Sequence, residues 1–140
     1  MNSREIYLNN VLNQAGKPYL WGAWGPDAFD CSGLVSFGLG FKEKKCAADL
    51  FLMFKTAQIP KAQALPGSIF FYGPSPAKID HVMTVLQHWP NGTLTLIGAR
   101  GGDSETTTLD IAAAKGAMVD VTVGTYWSSH FQYAVDPFQL

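Results

Sequence analysis

No apolar run in this chain of 140 residues approaches the roughly eighteen that a membrane-crossing helix needs, so no span is expected. A charge excess of one sign is also missing. Ten lysines and arginines against eleven aspartates and glutamates leave a formal net charge of -1, which gives no basic field to hold nucleic acid or an anionic membrane. Cysteine is scarce: Cys31 and Cys46 are the only two, and His81, His88 and His130 are scattered. None of these residues makes a ligand pair at zinc spacing, so no metal and no cofactor is expected. Repeats and low-complexity segments are absent too. What is plentiful is hydrophobic residues at 47%, with 14 glycines and 8 prolines. That composition fits one compact domain over residues 1–140 with many tight turns, and a sheet more readily than a helical bundle.

Leu8, Val11, Leu12 and Ala15 recur at helical spacing after a Ser3 cap, with Gly16 and Pro18 as the stop. Residues Tyr19 to Phe29 read as a structured loop rich in glycine and aromatics, leading into a helix from Cys31 through Leu34, Val35 and Phe37. A third helix is expected over Ala47 to Ala57, ending ahead of Ile59-Pro60. Ile69 to Tyr72 reads as a buried strand closed by Gly73-Pro74-Ser75-Pro76, and His81 to Trp89 with Thr93 to Ala99 as a hairpin on Asn91-Gly92. A helix over Leu109 to Lys115 and strands over Val119 to Thr125 and Phe131 to Val135 complete the pattern. The fold class is α+β, with N-terminal helices packed on a central antiparallel sheet.

The stretch Asp30-Cys31-Ser32-Gly33-Leu34-Val35 sets a cysteine where a loop becomes a helix. The free N–H groups and dipole of a helix start favour negative charge, so a thiol there is expected to ionise below its reference value of about 8.5. A lowering of ~2 units, about 2.7 kcal/mol, would make thiolate the majority form at neutral pH. A disulfide to Cys46 would silence that sulfur, so both cysteines are read as free. Cys46, after the Lys42-Glu43-Lys44-Lys45 run, is taken as a small packing residue in a loop or at a helix start.

Four blocks then carry a family resemblance: Lys17-Pro18-Tyr19-Leu20-Trp21-Gly22, Phe29-Asp30-Cys31-Ser32-Gly33-Leu34-Val35, Leu65-Pro66-Gly67-Ser68-Ile69-Phe70-Phe71, and Asp80-His81-Val82 opening an apolar run. In that order they resemble the NlpC/p60 cysteine peptidases over roughly residues 5 to 100. The resemblance implies a papain-like fold and hydrolysis of bacterial peptidoglycan stem peptides through a thioester, commonly between γ-D-glutamate and a diamino acid. It also implies that Asp30 and Ser32 contact substrate, with Asp30 available to a free amino group. The opening Met1 to Ile6 shows no charged leader before an apolar core. The expectation is therefore a protein made in the cytoplasm that reaches the wall after lysis, as a virion component, or through a phage tail or other delivery machine.

A nucleophilic thiol needs a base, and His81, at the start of a strand, is the candidate. By parity His88 faces the opposite side near the turn and is expected in solvent, while His130 lies in a loop. The third residue departs from the family: the position that usually carries a polar side chain is Gly98 in Leu96-Ile97-Gly98-Ala99-Arg100. A hairpin closing on Asn91-Gly92 sets His81 opposite about residues 101 to 103, which brings Asp103 forward as an acceptor for the ring N–H. A backbone carbonyl near Gly98 or a water competes equally, and Arg100 cannot accept. Tyr19 is a candidate oxyanion donor, and Trp24, on an exposed turn, a candidate substrate contact, whereas Trp21 and Phe29 are assigned to packing. The alternative function is a decayed virion or binding module that keeps the fold.

Overall fold

The computed structural model describes residues 2–124 and 126–139. Helix α1 (Ser3–Leu12) is capped by Asn2, whose side-chain oxygen accepts the Glu5 N–H, and not by Ser3. Tyr7 and Val11 carry its buried face while Leu12 is exposed, so the helix stops short of Ala15 and the chain turns at Gly16. Helix α2 (Cys31–Gly38) starts where expected because Asp30 Oδ1 takes the Gly33 N–H at 2.7 Å. The two helices pack closely at Gly38, where a Cβ would lie 2.6 Å from Val11 Cγ1. Helix α3 (Ala47–Phe54) is shorter than its apolar pattern implies. Residues Lys55–Ala57 tighten into a 3-10 turn before a two-residue strand, β1 (Gln58–Ile59), too brief to show in the sequence.

Five further strands follow: β2 (Ile69–Tyr72), β3 (His81–His88), β4 (Leu94–Arg100), β5 (Met118–Val123) and β6 (Phe131–Val135). The last residue of the strand expected over Val119 to Thr125 lies outside the described residues. All six strands form one antiparallel sheet in the order β1-β6-β2-β3-β4-β5. Helix α4 (Leu109–Lys115) precedes β5, with Thr108 as its cap and Gly116 ending it at φ +65°.

The period of two on the central strands divides the core. Val82, Ile97 and Ala99 join Tyr7, Val11, Leu34 and Val35 under the helices. Met83, Val85 and Leu96 join Phe70 and Tyr72 on the far face. A buried hydrogen bond of 2.7 Å between Tyr7 Oη and Thr84 Oγ1 ties α1 to the sheet.

The hairpin register differs from the sequence expectation. Thr84 pairs with Ile97 and His88 with Leu94, and the register shifts between Val85 and Gln87. That irregularity moves the pairing along, so β4 continues through Arg100 and brings Arg100, instead of residues 101 to 103, across from His81. It also flips parity near the turn. His88 is half-buried and its Nδ1 lies 2.8 Å from the Ala64 carbonyl, correcting the expected solvated ring.

Candidate active site

Cys31 opens α2, His81 opens β3, and α2 lies against β3, so both side chains meet at one end of the sheet. The backbones of Ser32 and of Val82, the residue after His81, favour the charged form of the Cys31 sulfur. Both residues line a cavity of about 840 Å³.

His81 is held from its other side. Its Nε2 lies 2.8 Å from Tyr126 Oη, and its ring packs among Tyr72, Tyr126 and Trp127. Nδ1 has no hydrogen-bond partner among the described residues. Behind Tyr126 stands Arg100, its guanidinium carbon 5.7 Å from the phenol centroid and its Nη2 2.7 Å from Asp120 Oδ2. This places Tyr126 where an orienting group is needed, and corrects the expectation for Asp103. That carboxylate also borders the cavity, but it accepts from Lys115 Nζ at 3.0 Å and the Glu105 N–H at 2.9 Å in its own exposed turn. At Gly98 the space that a polar side chain would fill belongs to Met83, because a Cβ there would strike Met83 Sδ.

Electrostatics overturn the expected acidic thiol. Burial is the largest influence on Cys31 and the Asp30 carboxylate the next, and together they push its pKa up to about 11. The two backbone groups and Lys44 pull the other way and are outweighed. A short helix tip is worth ~0.3–1 kcal/mol, less than the cost of a charge withdrawn from water. His81 moves oppositely, down to about 4, through burial first and the Arg100 charge second. The substrate-free pair is therefore a neutral thiol beside a neutral imidazole at pH 7. Tyr126, raised by burial to about 12, keeps its proton there.

The remaining sequence candidates separate. Tyr19 is 4% exposed, borders the cavity, and its hydroxyl has no hydrogen-bond partner among the described residues. Asp30 and Ser32 also border it, yet Asp30 Oδ2 is taken by Lys44 Nζ at 3.0 Å, so the carboxylate expected to await an amino group is already paired. Trp24 is half-buried, bridges to Phe29 and does not border the cavity. Trp21, assigned to packing, instead stands 56% exposed at the cavity wall, whereas Phe29 is fully buried. Cys46 is free and exposed at the cavity edge, the N-cap of α3 and not a packing residue. Sequence reasoning missed Tyr126 and Lys44. The first had no motif, and the second was hidden in a charge run that reads as a solvated loop.

The profile of the NlpC/P60 family matches residues 16–135. Among curated proteins, a stretch of 58 residues is 36% identical to the "Probable endopeptidase p60" of Listeria grayi, covering 41% of this chain and 11% of that protein. Another of 84 residues is 30% identical to the "Murein DD-endopeptidase MepH" of Escherichia coli (strain K12), covering 56% and 31%. The chain thus spans less than a third of either relative. Two solved Mycobacterium tuberculosis structures share the fold. The peptidoglycan hydrolase RipB superposes at TM-score 0.65 with 24% identity, over 99% of this chain and 66% of that one. RipD, described as a non-catalytic NlpC/p60 domain protein adapted to peptidoglycan binding, gives 0.67 with 19% identity over 99% of both.

Proposed function

This chain belongs to the NlpC/P60 family, and from that premise we propose that it is a cysteine endopeptidase acting on peptidoglycan stem peptides, with Cys31 as nucleophile and His81 as base. The observation that carries the reading is that Cys31, at the start of α2, and His81, at the start of β3, line one cavity, with the imidazole held at Nε2 by Tyr126. With Nε2–H donating to Tyr126 Oη, Nδ1 is left unprotonated as the base.

Because both partners rest neutral, the proton moves during attack. Cys31 Sγ bonds to the peptide carbonyl carbon as its proton passes to His81 Nδ1, and the carbonyl electron pair goes to oxygen. The Cys31 N–H, which as the first of a helix has no intrahelical acceptor, and the free Tyr19 hydroxyl can receive that oxyanion. The C–N bond then breaks, His81 returns the proton to the leaving amine, and a thioester remains. Water, deprotonated by His81, attacks it and releases the acid and the thiol.

By resemblance the bond proposed is that between γ-D-glutamate and a diamino acid. The test is digestion of purified peptidoglycan by the protein and by Cys31→Ala, with new amino termini read by mass spectrometry. Fragments ending at D-glutamate, made only by the unaltered protein, are expected. Fragments cut between D-residues would reassign the linkage to the one named for MepH.

A second reading has its own support. RipD matches along nearly the full length of both chains, and position 98 lacks the family's usual polar side chain. Binding of peptidoglycan with no product from either form would establish it.

A further inference from the structure

Asp30 is 3% exposed and its carboxylate is fully engaged. Oδ1 accepts the Gly33 N–H at 2.7 Å and the Ser32 hydroxyl at 3.4 Å, while Oδ2 accepts the Gly22 N–H at 2.9 Å and lies 3.0 Å from Lys44 Nζ. An ionised carboxylate offers about four acceptor positions, so none is left for an incoming ammonium group. Lys44 has three donors. One is on Asp30 and one on Ser32 Oγ at 3.2 Å, leaving the third for the cavity it borders.

The lysine is placed by the fold and is not a loose surface chain. Ser36, fully buried on α2, accepts the Lys45 N–H at 3.0 Å and donates to the Ser32 carbonyl at 2.9 Å. That bond pins the loop between α2 and α3 one residue from Lys44, whose side chain is 25% exposed. The wall beside the nucleophile therefore presents a cation where the resemblance predicts an anion.

We propose that Lys44 sets the substrate class of this site: it excludes stem peptides with a free amino end and admits those whose amino end is acylated, placing a carbonyl oxygen of the acyl-amide on its third N–H. The inference rests on the peptidase reading for its readout in turnover, and stands apart from it in binding. Peptides held in an intact wall, with their amino ends in amide linkage, fit this requirement. Trimmed peptides with a free amine do not.

The experiment uses one γ-D-glutamyl stem peptide in two forms, amino end free and N-acetylated. For the unaltered protein kcat/KM is expected to favour the acetylated form at least tenfold. Lys44→Ala should bring the two within about threefold, and Lys44→Arg should keep the preference. Equal or better use of the free-amine peptide by the unaltered protein overturns the proposal without involving any variant. An unchanged preference in a Lys44→Ala protein that melts as the unaltered one does overturns it also. Binding of both peptides to Cys31→Ala, by titration calorimetry, separates the two readings. Acetyl-selective binding without turnover supports the subsite and rejects the peptidase, whereas equal binding, or none, rejects the subsite.

Discussion

The hydroxyl of Tyr126 is the one hydrogen-bond partner of the His81 ring among the described residues, and it fixes a ring that Tyr72 and Trp127 otherwise only pack against. Tyr126→Phe keeps the ring packing and removes only that contact. We expect kcat to fall about tenfold to a hundredfold with KM little changed, since a base that wanders loses part of the ~10²–10⁴ that general base catalysis supplies. Steady-state kinetics on a defined stem peptide measure this. The pH profile reads a second residue. With its pKa at about 4, His81 stays a free base well below the ordinary histidine value of 6.5, so the acid limb of kcat/KM should lie below pH 6. Arg100 contributes to that depression, and Arg100→Gln should move the limb toward higher pH. That Cys31 and His81 would face one cavity was legible from their residue types and their order along the chain. Tyr126 was not, because 45 residues separate it from His81 and its approach follows from the turn after β5.

At the scale of elements, the β3–β4 hairpin shows why a residue at position 98 cannot simply be restored. Gly98→Ala presses a methyl group into Met83 Sδ, and overpacking of this kind costs about 1–3 kcal/mol. Paired with Met83→Ala, the penalty of the Gly98 change should largely vanish. Urea unfolding of the two single variants and the double variant measures that coupling, and strict additivity would refute the contact. The strands themselves were legible from apolar runs and the Asn91-Gly92 turn. Their register was not, because the irregularity between Val85 and Gln87 has no signature of its own. It carried Asp103 away from the histidine and turned His88 inward. Strand β1 escaped notice because two residues cannot display a period.

For the molecule as a whole, Arg4 gathers distant parts of the chain. Its Nη2 lies 2.9 Å from Asp136 Oδ2, Nη1 donates to the Pro66 carbonyl at 2.8 Å, and the guanidinium covers the Phe138 ring. Asp136 is 3% exposed, so Arg4→Met leaves a buried carboxylate without its cation. We expect a loss of about 2–3 kcal/mol in urea unfolding, less than the ~3–5 kcal/mol of a fully buried broken pair because Arg4 is partly exposed. Acid should weaken the whole fold in a definite window. The depressed pKa of His81 means that the unfolded chain binds a proton first as pH falls from about 6.5 to about 4. Stability is therefore complete above that range and declines across it.

The protonated state of Cys31 also bears on how the protein meets peroxide. Oxidation to sulfenic acid, like attack on a carbonyl, proceeds through the thiolate. A sulfur whose proton leaves only near pH 11 is a poor target while the cavity holds no peptide. Cys46, by contrast, is free and exposed. On the proposed reading, reactivity is thus withheld until a bound peptide lets the proton pass to His81, and slow labelling of Cys31 by peroxide in the empty protein is the expected outcome.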